Sequence, residues 1–430
     1  MPFSIPAPHP ARRHWLLAAL ALGLGLAAGA LTLPPAAAAP SGPPPDQCFL
    51  EYTGDNVTDE SAIVGDAVQF AVNAAPPGAL VKVAGYCAGA ISQGGQTQTV
   101  LITKTLTLQG GYTHTNWLAD PDPVIHPTTL DALGQGRVVR VTGAISVTLA
   151  GLTFTTGYHA SNGGGLYVDS AASVTLHRSR VVGSTTANYG GGIDNRGTLL
   201  IADSVVAGNG SGQDGGGLLN WGVLTVTHSA ILSNTASDDG GALVNIGQAA
   251  FINATVSGNT GLAQTHGVGG GGLYQYQEVD PPLITLLHTT LVSNTSLADS
   301  GHALYQVAGS AIISSSLISS EGENCAGVGA VVSGGYNVEN ADDCGLSATG
   351  DLTATVVQLI GPLGENGGPT LTHTLLPGSP AIDRIPPTAN DCGLTVTDDQ
   401  RGMARPAGPD CDSGAFELAA LKLFLPLVSR

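Results

Sequence analysis

The chain has 430 residues, of which 43% are hydrophobic and only 11% charged, and it contains 61 glycines. This composition excludes a disordered polyelectrolyte, and abundant Val, Thr, Ser and Gly with only two Met favours strands and turns over helices. The formal net charge of −18 repels nucleic acid and anionic lipid, so we expect no nucleic-acid partner.

Residues 1–39 have the pattern of a secretory signal peptide. Arg12 and Arg13 precede an apolar core at 15–33, and small residues follow at 36–39. The core is also long enough for an uncleaved membrane anchor, so cleavage stays open. The pattern predicts a secreted or cell-surface protein that meets the membrane only through this leader or an anchor. Nothing in the sequence indicates its oligomeric state.

Six cysteines follow the leader, an even number that export to an oxidising compartment favours. They fall into three local pairs: Cys48 with Cys87, Cys325 with Cys344, and Cys392 with Cys411. None has the Cys-x-x-Cys spacing of a zinc site. We therefore predict three disulfides, each near one end of the molecule.

Residues 40–145 are predicted to form an N-terminal cap and the first coils. Within 61–75, apolar residues recur at helical spacing, and Pro76-Pro77-Gly78 ends that pattern. The spaced residues are Ile63, Ala67, Phe70, Ala71 and Ala74. A helix placed before the first strand would cover the open edge of a stack of strands.

The central part of the chain repeats one motif, a glycine cluster followed by an apolar residue. The apolar residues are Leu166, Ile193, Leu218, Leu243, Leu273 and Leu304, at separations of 27, 25, 25, 30 and 31 residues. Such a period is typical of a solenoid, whose units bury their apolar faces against one another. We predict an all-β fold, a right-handed single-stranded parallel β-helix with its repetitive body at 146–320, with three strands and three bends in each coil.

Aligned repeats show two polar columns and one apolar column. One polar column holds Asn209, Asn234, Asn259 and Asn294, and the other holds Asn195, Asn220 and Asn245. The apolar column holds Val181, Val206, Ile231, Val256, Leu291 and Leu317. In strands stacked about 4.8 Å apart, the asparagines would form hydrogen-bonded ladders. The glycines are expected to supply positive φ at the corners.

Three stretches resemble known families. The phrase VQFAVNAAPPGALVKVAGYCAG resembles the opening of pectin-lyase-like right-handed β-helices, and the glycine motif with its apolar-x-x-Asn element is similar to the repeats of chlamydial polymorphic outer-membrane proteins. Residues 321–417, with SGGYNVENADDCGL and DQRGMARPAGPDCDSGAFE, resemble the choice-of-anchor Q domain. These resemblances imply a surface-exposed bacterial β-helix. The apolar tail at 418–430 resembles the tails of exported proteins, and a final strand is the alternative.

Catalytic groups are sparse. A pectate-lyase-like mechanism implies an Arg or Lys beside carboxylate-bound calcium, yet no Lys or Arg lies between Arg196 and Arg384. The basic residues of the early body are Arg137, Arg140, Arg178, Arg180 and Arg196. Polygalacturonase and pectin-esterase motifs are absent. We predict no catalytic residue, no metal site and no cofactor, and structural calcium at acidic residues is the one possibility left open.

The candidate contact surface is an enlarged loop at 274–282. Loops that emerge once per coil share one side of a solenoid, where insertions can form a binding face. Tyr274, Tyr276, Glu278 and Asp280 are predicted to contact a sugar or a cation there. The sequence thus favours a non-enzymatic surface protein for adhesion or envelope structure, with a surface polysaccharide or another surface component as partner. The alternative is a carbohydrate-active lyase or hydrolase.

Overall fold

The computed structural model describes residues 47–62, 66–265, 269–278, 280–355 and 359–419, which belong to one compact unit at 44–430. The predicted signal peptide and residues 420–430 of the tail lie outside the described residues. None of the described helices combines the length and the hydropathy that crossing a membrane requires.

The chain forms an all-β parallel solenoid, which confirms the predicted fold class. Its first part contains β1 Cys48–Glu51, β2 Glu60–Ala62, α1 Asp66–Ala74, β3 Leu80–Ala88, β4 Ile91–Gln93, β5 Gln96–Ile102, β6 Leu106–Gln109, β7 Thr128–Asp131, β8 Arg137–Val141, β9 Ser146–Ala150 and β10 Leu152–Thr155. Residues 111–127 form a loop.

Four strands per coil then recur, one more than the three predicted, because each coil also contains a two-residue strand. They are β11 Tyr158–His159, β12 Leu166–Val168, β13 Ser173–His177, β14 Arg180–Val182, β15 Thr185–Thr186, β16 Ile193–Asn195, β17 Thr198–Ala202, β18 Val205–Ala207, β19 Gly210–Ser211, β20 Leu218–Asn220, β21 Val223–Thr227, β22 Ala230–Leu232, β23 Thr235–Ala236, β24 Leu243–Asn245, β25 Gln248–Ile252, β26 Thr255–Ser257, β27 Thr260–Gly261, β28 Leu273–Gln275, β29 Leu283–Leu287, β30 Thr290–Val292 and β31 Thr295–Ser296.

The last elements are β32 Leu304–Gln306, β33 Ser310–Ser314, β34 Leu317–Ser319, β35 Cys325–Gly327, β36 Ala330–Gly335, β37 Val338–Glu339, β38 Ile360–Gly364, β39 Thr372–Leu375 and a 3₁₀ turn at Ala389–Asp391. Strands β35 to β37 pair in parallel with the coil before them, so the stacking continues past residue 320 to residue 339.

Three long sheets make the walls of the solenoid, and a fourth, of two-residue strands, follows one corner. Sheet 1 stacks β4, β5, β8, β12, β16, β20, β24, β28, β32 and β35. Sheet 2 stacks β2, β1, β3, β6, β9, β13, β17, β21, β25, β29, β33 and β36. Sheet 3 stacks β3, β7, β10, β14, β18, β22, β26, β30, β34 and β37.

The core is continuous along the axis because each strand alternates inward and outward side chains. In β17, Leu199 and Ile201 are buried, whereas Thr198 is exposed and Leu200 is half-buried. The partners of Leu199 and Ile201 one coil later are Leu224 and Val226. Like residues therefore stack on like. One predicted alignment was wrong by a residue, since Leu291 pairs with Ile318 and not with Leu317.

Helix α1 lies inside the predicted helical segment and buries Ala67 and Ala71 as predicted, whereas Phe70 and Ala74 are exposed and Ile63 lies outside the described residues. Phe70, predicted on the apolar face, is 54% exposed, whereas Gln69 is buried. The reason is a pair of hydrogen bonds: Leu101 N donates to Gln69 Oε1 (2.6 Å), and Gln69 Nε2 donates to Leu101 O (3.0 Å). Gln69 thereby satisfies backbone groups of β5 that would otherwise lack a strand partner.

Glycines serve two purposes in the repeat. The first glycine of a cluster has positive φ, 62° at Gly190, as a left-handed corner requires. The following Gly191 and Gly192 have no positive φ, and a Cβ on Gly192 would lie 2.7 Å from Gly217 O. The expectation that these glycines are corner residues thus holds for the first of each cluster, while the others allow neighbouring coils to approach closely.

Residues 359–419, hereafter the C-terminal strap, run along the outer face of sheet 3. Its Leu363 and Leu371 pack on Val205, Ala230 and Leu232. Further along, Leu375, Ala381 and Phe416 pack on Val292, Leu317 and Val338. The sequence of sheet 3 matches this packing. The outward-facing residues at one register position are Thr153 and exposed Arg180 in the earlier coils, and they change to apolar Val205 and Ala230 in the coils that the strap contacts.

All three predicted disulfides are confirmed. Cys48–Cys87 joins β1 to β3, and Cys325–Cys344 and Cys392–Cys411 lie beyond the glycine repeats. Three disulfides with no free cysteine indicate an oxidising, extracellular environment.

Candidate functional site

The predicted asparagine columns form hydrogen-bonded ladders. Asn209, Asn234 and Asn259 each donate Nδ2 to the Oδ1 of the next asparagine, the last being Asn294, over 2.9–3.0 Å. Asn195 and Asn220 do the same toward Asn220 and Asn245, at 2.7 and 2.8 Å. All of these side chains are buried. Their chemistry is thus used within the wall of the solenoid.

The predicted loop residues separate into a buried and an exposed group. Tyr274 is only 8% exposed and stacks on Tyr305, with ring centroids 5.9 Å apart. Burial raises the pKa of Tyr274, and the nearby Asp239 and Asp214 add to the effect. Tyr276, Glu278 and Asp280 are exposed. Only the latter three are therefore available to a partner at the surface.

A cavity of about 250 Å³ opens on the outer side of sheet 1, at its N-terminal end. The strand register forms this cavity, because it makes Arg140 of β8, Tyr167 of β12 and Asp194 of β16 direct neighbours on three successive coils. Arg137 from β8 and Arg196, one residue after β16, complete the cationic lining. We call this group the arginine cavity.

The three guanidinium groups surround one aromatic ring. Their central carbons lie 4.9 Å (Arg137), 5.8 Å (Arg140) and 5.7 Å (Arg196) from the centroid of the Tyr167 ring. Cation–π attraction offsets part of the repulsion between these like charges. Burial, followed by the charge of Arg140, lowers the pKa of Arg137 to about 10. Arg137 is therefore cationic at neutral pH.

Arg137 is fixed by a network that also sets the state of His159. Arg137 donates Nη2 to His159 Nδ1 (3.0 Å) and Nη1 to Gln96 Oε1 (3.0 Å). Ser161 N also donates to His159 Nδ1, so the ring proton sits on Nε2, which donates to Gln96 Oε1 at 2.8 Å. Burial and the charges of Arg137 and Arg140 lower the pKa of His159 to about 4. His159 is thus neutral at physiological pH.

Asp194 is the buried acid of the arginine cavity. It is fully buried, and its Oδ2 accepts from Arg196 Nε at 3.1 Å. Its Oδ1 is buried with no hydrogen-bond partner among the described residues. Burial raises the pKa of Asp194, although Arg196 acts in the opposite direction. The cavity therefore combines a cationic lining with one unused acceptor.

An exposed stripe extends from the arginine cavity along the corner after sheet 1. Arg196, Trp221, Ile246 and Tyr276 occupy this corner on successive coils, and Trp221 is 36% and Tyr276 41% exposed. Arg196 lies 5.8 Å from the Trp221 ring. At about 4.8 Å per coil, the stripe spans about 14 Å. It connects the arginine cavity with the exposed end of the predicted loop.

An acidic cluster lies in the loops that follow β19 and β23. Carboxylate oxygens of Asp214, Asp238 and Asp239 approach within 4.8 Å of one another, and Asp238 and Asp239 are 1% exposed. This oxygen set could hold a hard cation such as Ca²⁺. The same carboxylates accept backbone N–H groups, including Gly269 N and Thr265 N, and so order the loops themselves. Cys325 and Cys344 also approach Asp343, but their sulfurs are in a disulfide.

From the sequence, Arg137, Arg140 and Arg196 are recognisable only as basic residues of the early body and not as parts of one site. A signal was present in the position after each glycine–apolar motif. It holds Tyr167, Asp194, Leu219, Val244, Tyr274 and Tyr305. Asp194 is the charged member of this otherwise apolar and aromatic column, which marks its coil as special.

Comparison of the chain with protein-family models, curated proteins and solved structures gave no match. The evidence for the fold is therefore the strand register of the structure. The evidence for the family resemblances is the set of sequence phrases quoted above.

Proposed function

We propose that the protein is a secreted or cell-surface β-helix with a non-enzymatic role in adhesion or envelope structure, which binds an acidic surface polysaccharide. The observation that carries this proposal is the arginine cavity. Three arginines converge on Tyr167 in a chain whose formal net charge is −18. A cationic cavity on an acidic body selects an anionic partner by its local field.

The surroundings of the cavity support a sugar as the carrier of that anionic charge. Trp221 and Tyr276 expose aromatic surface along the stripe, and aromatic side chains with a polar edge suit partly hydrated contacts. The repeated coils position these side chains on rigid elements. The pectin-lyase-like opening, the outer-membrane-protein-type repeats and the choice-of-anchor phrases support export and surface display, and we include those assignments in the proposal.

A glycan array tests this function. The secreted protein should bind acidic glycans in preference to neutral glycans of the same backbone, and binding should weaken as salt is raised because the contact is partly exposed. Equal binding to neutral and acidic glycans, or no binding to any glycan, would contradict the proposed partner.

A second candidate is a polysaccharide lyase, favoured by one observation. The cationic lining of the arginine cavity would offset the carboxylate charge of an acidic sugar and so ease removal of the proton beside that carboxylate. Incubation with acidic polysaccharides separates the two candidates. Unsaturated or reducing ends that appear with the wild-type protein and vanish in Arg137→Gln would establish the enzyme and refute the non-enzymatic role.

A further inference from the structure

The arginines of the arginine cavity differ in how many hydrogen bonds they make to other residues of the protein. Arg137 is 5% exposed and engages Asn162 O through Nε, Gln96 through Nη1 and His159 through Nη2. Each of its three nitrogens thus has a protein partner. Arg137 acts as a positioning residue and a source of charge, not as the group that grips a ligand.

Arg140 and Arg196 are placed differently. Arg140 is half-buried, and its hydrogen bond to Gly94 O is long, at 3.4 Å. Arg196 has a side chain 38% exposed and uses Nε on Asp194. In the orientation of the Asn162 amide that satisfies both of its polar groups, Arg196 Nη2 also donates to the Asn162 side-chain oxygen at 3.2 Å, which leaves Nη1 for a ligand. A planar guanidinium with free N–H groups recognises carboxylate and sulfate through paired hydrogen bonds.

Besides the anionic group that the arginines require, Asp194 Oδ1 requires a hydrogen-bond donor on the ligand. A buried carboxylate oxygen without a donor is costly, and Asp194 is among the residues that line the cavity together with both arginines. Since arginine donors already serve Oδ2, a hydroxyl group of the ligand is the natural donor to Oδ1. The cavity therefore calls for a molecule that carries an oxyanion and a hydroxyl close together.

We propose that the arginine cavity binds one acidic sugar residue, with its carboxylate held by Arg140 and Arg196 and one hydroxyl donated to Asp194 Oδ1. This inference rests on the proposed function and adds the ligand group and the roles of individual residues. The volume of about 250 Å³ is below the range of about 300–1,000 Å³ of pockets for drug-sized ligands. It suits a single monosaccharide unit, so we assign the site to a chain end or side branch and not to an internal stretch of polymer.

Titration calorimetry with free glucuronate, glucose and inorganic sulfate tests the proposal. Wild-type protein should bind glucuronate, bind sulfate more weakly and not bind glucose. Arg140→Gln and Arg196→Gln should each weaken glucuronate binding about tenfold or more, as expected for loss of a hydrogen bond to a charged group. Arg180→Gln, which removes an exposed arginine from sheet 3, is the matched control and should leave binding unchanged.

Asp194→Asn distinguishes recognition from simple loss of structure. Removing its charge should strengthen sulfate binding while it weakens glucuronate binding, whereas a collapsed site would lose both ligands. Parallel weakening of both ligands, or full glucuronate affinity in both arginine variants, would overturn the proposal. Acidic glycans that bind on the array without any binding of free glucuronate would overturn this inference alone and leave the proposed function standing.

Discussion

Asn234 lies in the middle of its ladder and shows how much depends on one buried amide. Its Nδ2 donates to Val206 O and to Asn259 Oδ1, both at 3.0 Å, and its Oδ1 accepts from Asn209 N and Nδ2. Asn234→Ala leaves these groups without their partners, at about 1–3 kcal/mol for each buried group. We expect the free energy of unfolding to fall by about 3 kcal/mol or more, measured by urea denaturation.

The control is Asn188→Ala. Asn188 lies in a loop of the same solenoid and makes its hydrogen bonds to Ser161 and Gln213 through its backbone. It should change stability little. Equal losses in the two variants would show that the ladder contributes no more than any surface asparagine.

His288 is a residue whose burial makes stability depend on pH. It is fully buried, its Nε2 lies 3.0 Å from Asn390 O, and burial with the charge of Arg405 lowers its pKa to about 3. An unfolded histidine has a pKa of about 6.5. As pH falls from about 6.5 to about 3, the unfolded chain takes up a proton that the folded chain does not, so His288 costs about 1.4 kcal/mol of stability per pH unit.

The variant His288→Asn should remove this dependence. Asn253 fills the same corner position one coil earlier, with φ of 48° against 47° at His288, so the substitution suits the backbone. Thermal unfolding from pH 7 to pH 4 should show the variant gaining on the wild type as pH falls. A constant offset between the two melting curves across that range would contradict the assignment.

At the scale of elements, the features that could be predicted from the sequence are those that recur in every coil. The asparagine columns were found because a ladder needs the same residue in each coil, and stacking keeps Asn209 above Asn234. The arginine cavity was missed because its residues differ between coils and meet only through the register of Arg140, Tyr167 and Asp194. The C-terminal strap was missed for a related reason, since its contacts join positions far apart in a region without a period.

A buried ion pair joins two parts of the strap to each other, and its loss should loosen the strap. Arg405 donates to Glu417 Oε2 at 2.8 Å, with both side chains fully buried, and also bonds the carbonyls of Asp412 and Gly414. Breaking such a pair costs about 3–5 kcal/mol, because the remaining charge stays buried. Arg405→Met should therefore lower the unfolding midpoint and open residues 359–419 to protease cleavage.

A double variant separates the ion pair from simple loss of packing. Arg405→Met with Glu417→Gln removes both charges, so it should recover part of the stability lost in Arg405→Met alone. Proteolysis mapped by mass spectrometry gives the position of each cut. Additive losses, or cuts spread evenly over the solenoid coils, would show that the pair does not hold the strap.

For the whole molecule, the strands of each coil pair only with those of neighbouring coils, so the stability of the solenoid wall is close to a sum of local terms, to which the strap adds contacts along sheet 3. The disulfides lie at the two sides of that stack: Cys48–Cys87 encloses 39 residues of the first coils, and Cys325–Cys344 and Cys392–Cys411 each span 19 residues of the last part. Closing loops of about this length stabilises by about 3 kcal/mol each. Reduction should thus act on the ends first.

Hydrogen exchange measured on oxidised and reduced protein tests this expectation. Amides of the ladder coils at 193–260 should keep their protection after reduction, because their hydrogen bonds run between coils that no disulfide joins. Amides near Cys48 and Cys344 should exchange faster. Loss of protection throughout 193–260 at the same rate as at the ends would mean that the solenoid unfolds as a single cooperative unit, and that the disulfides stabilise all coils together.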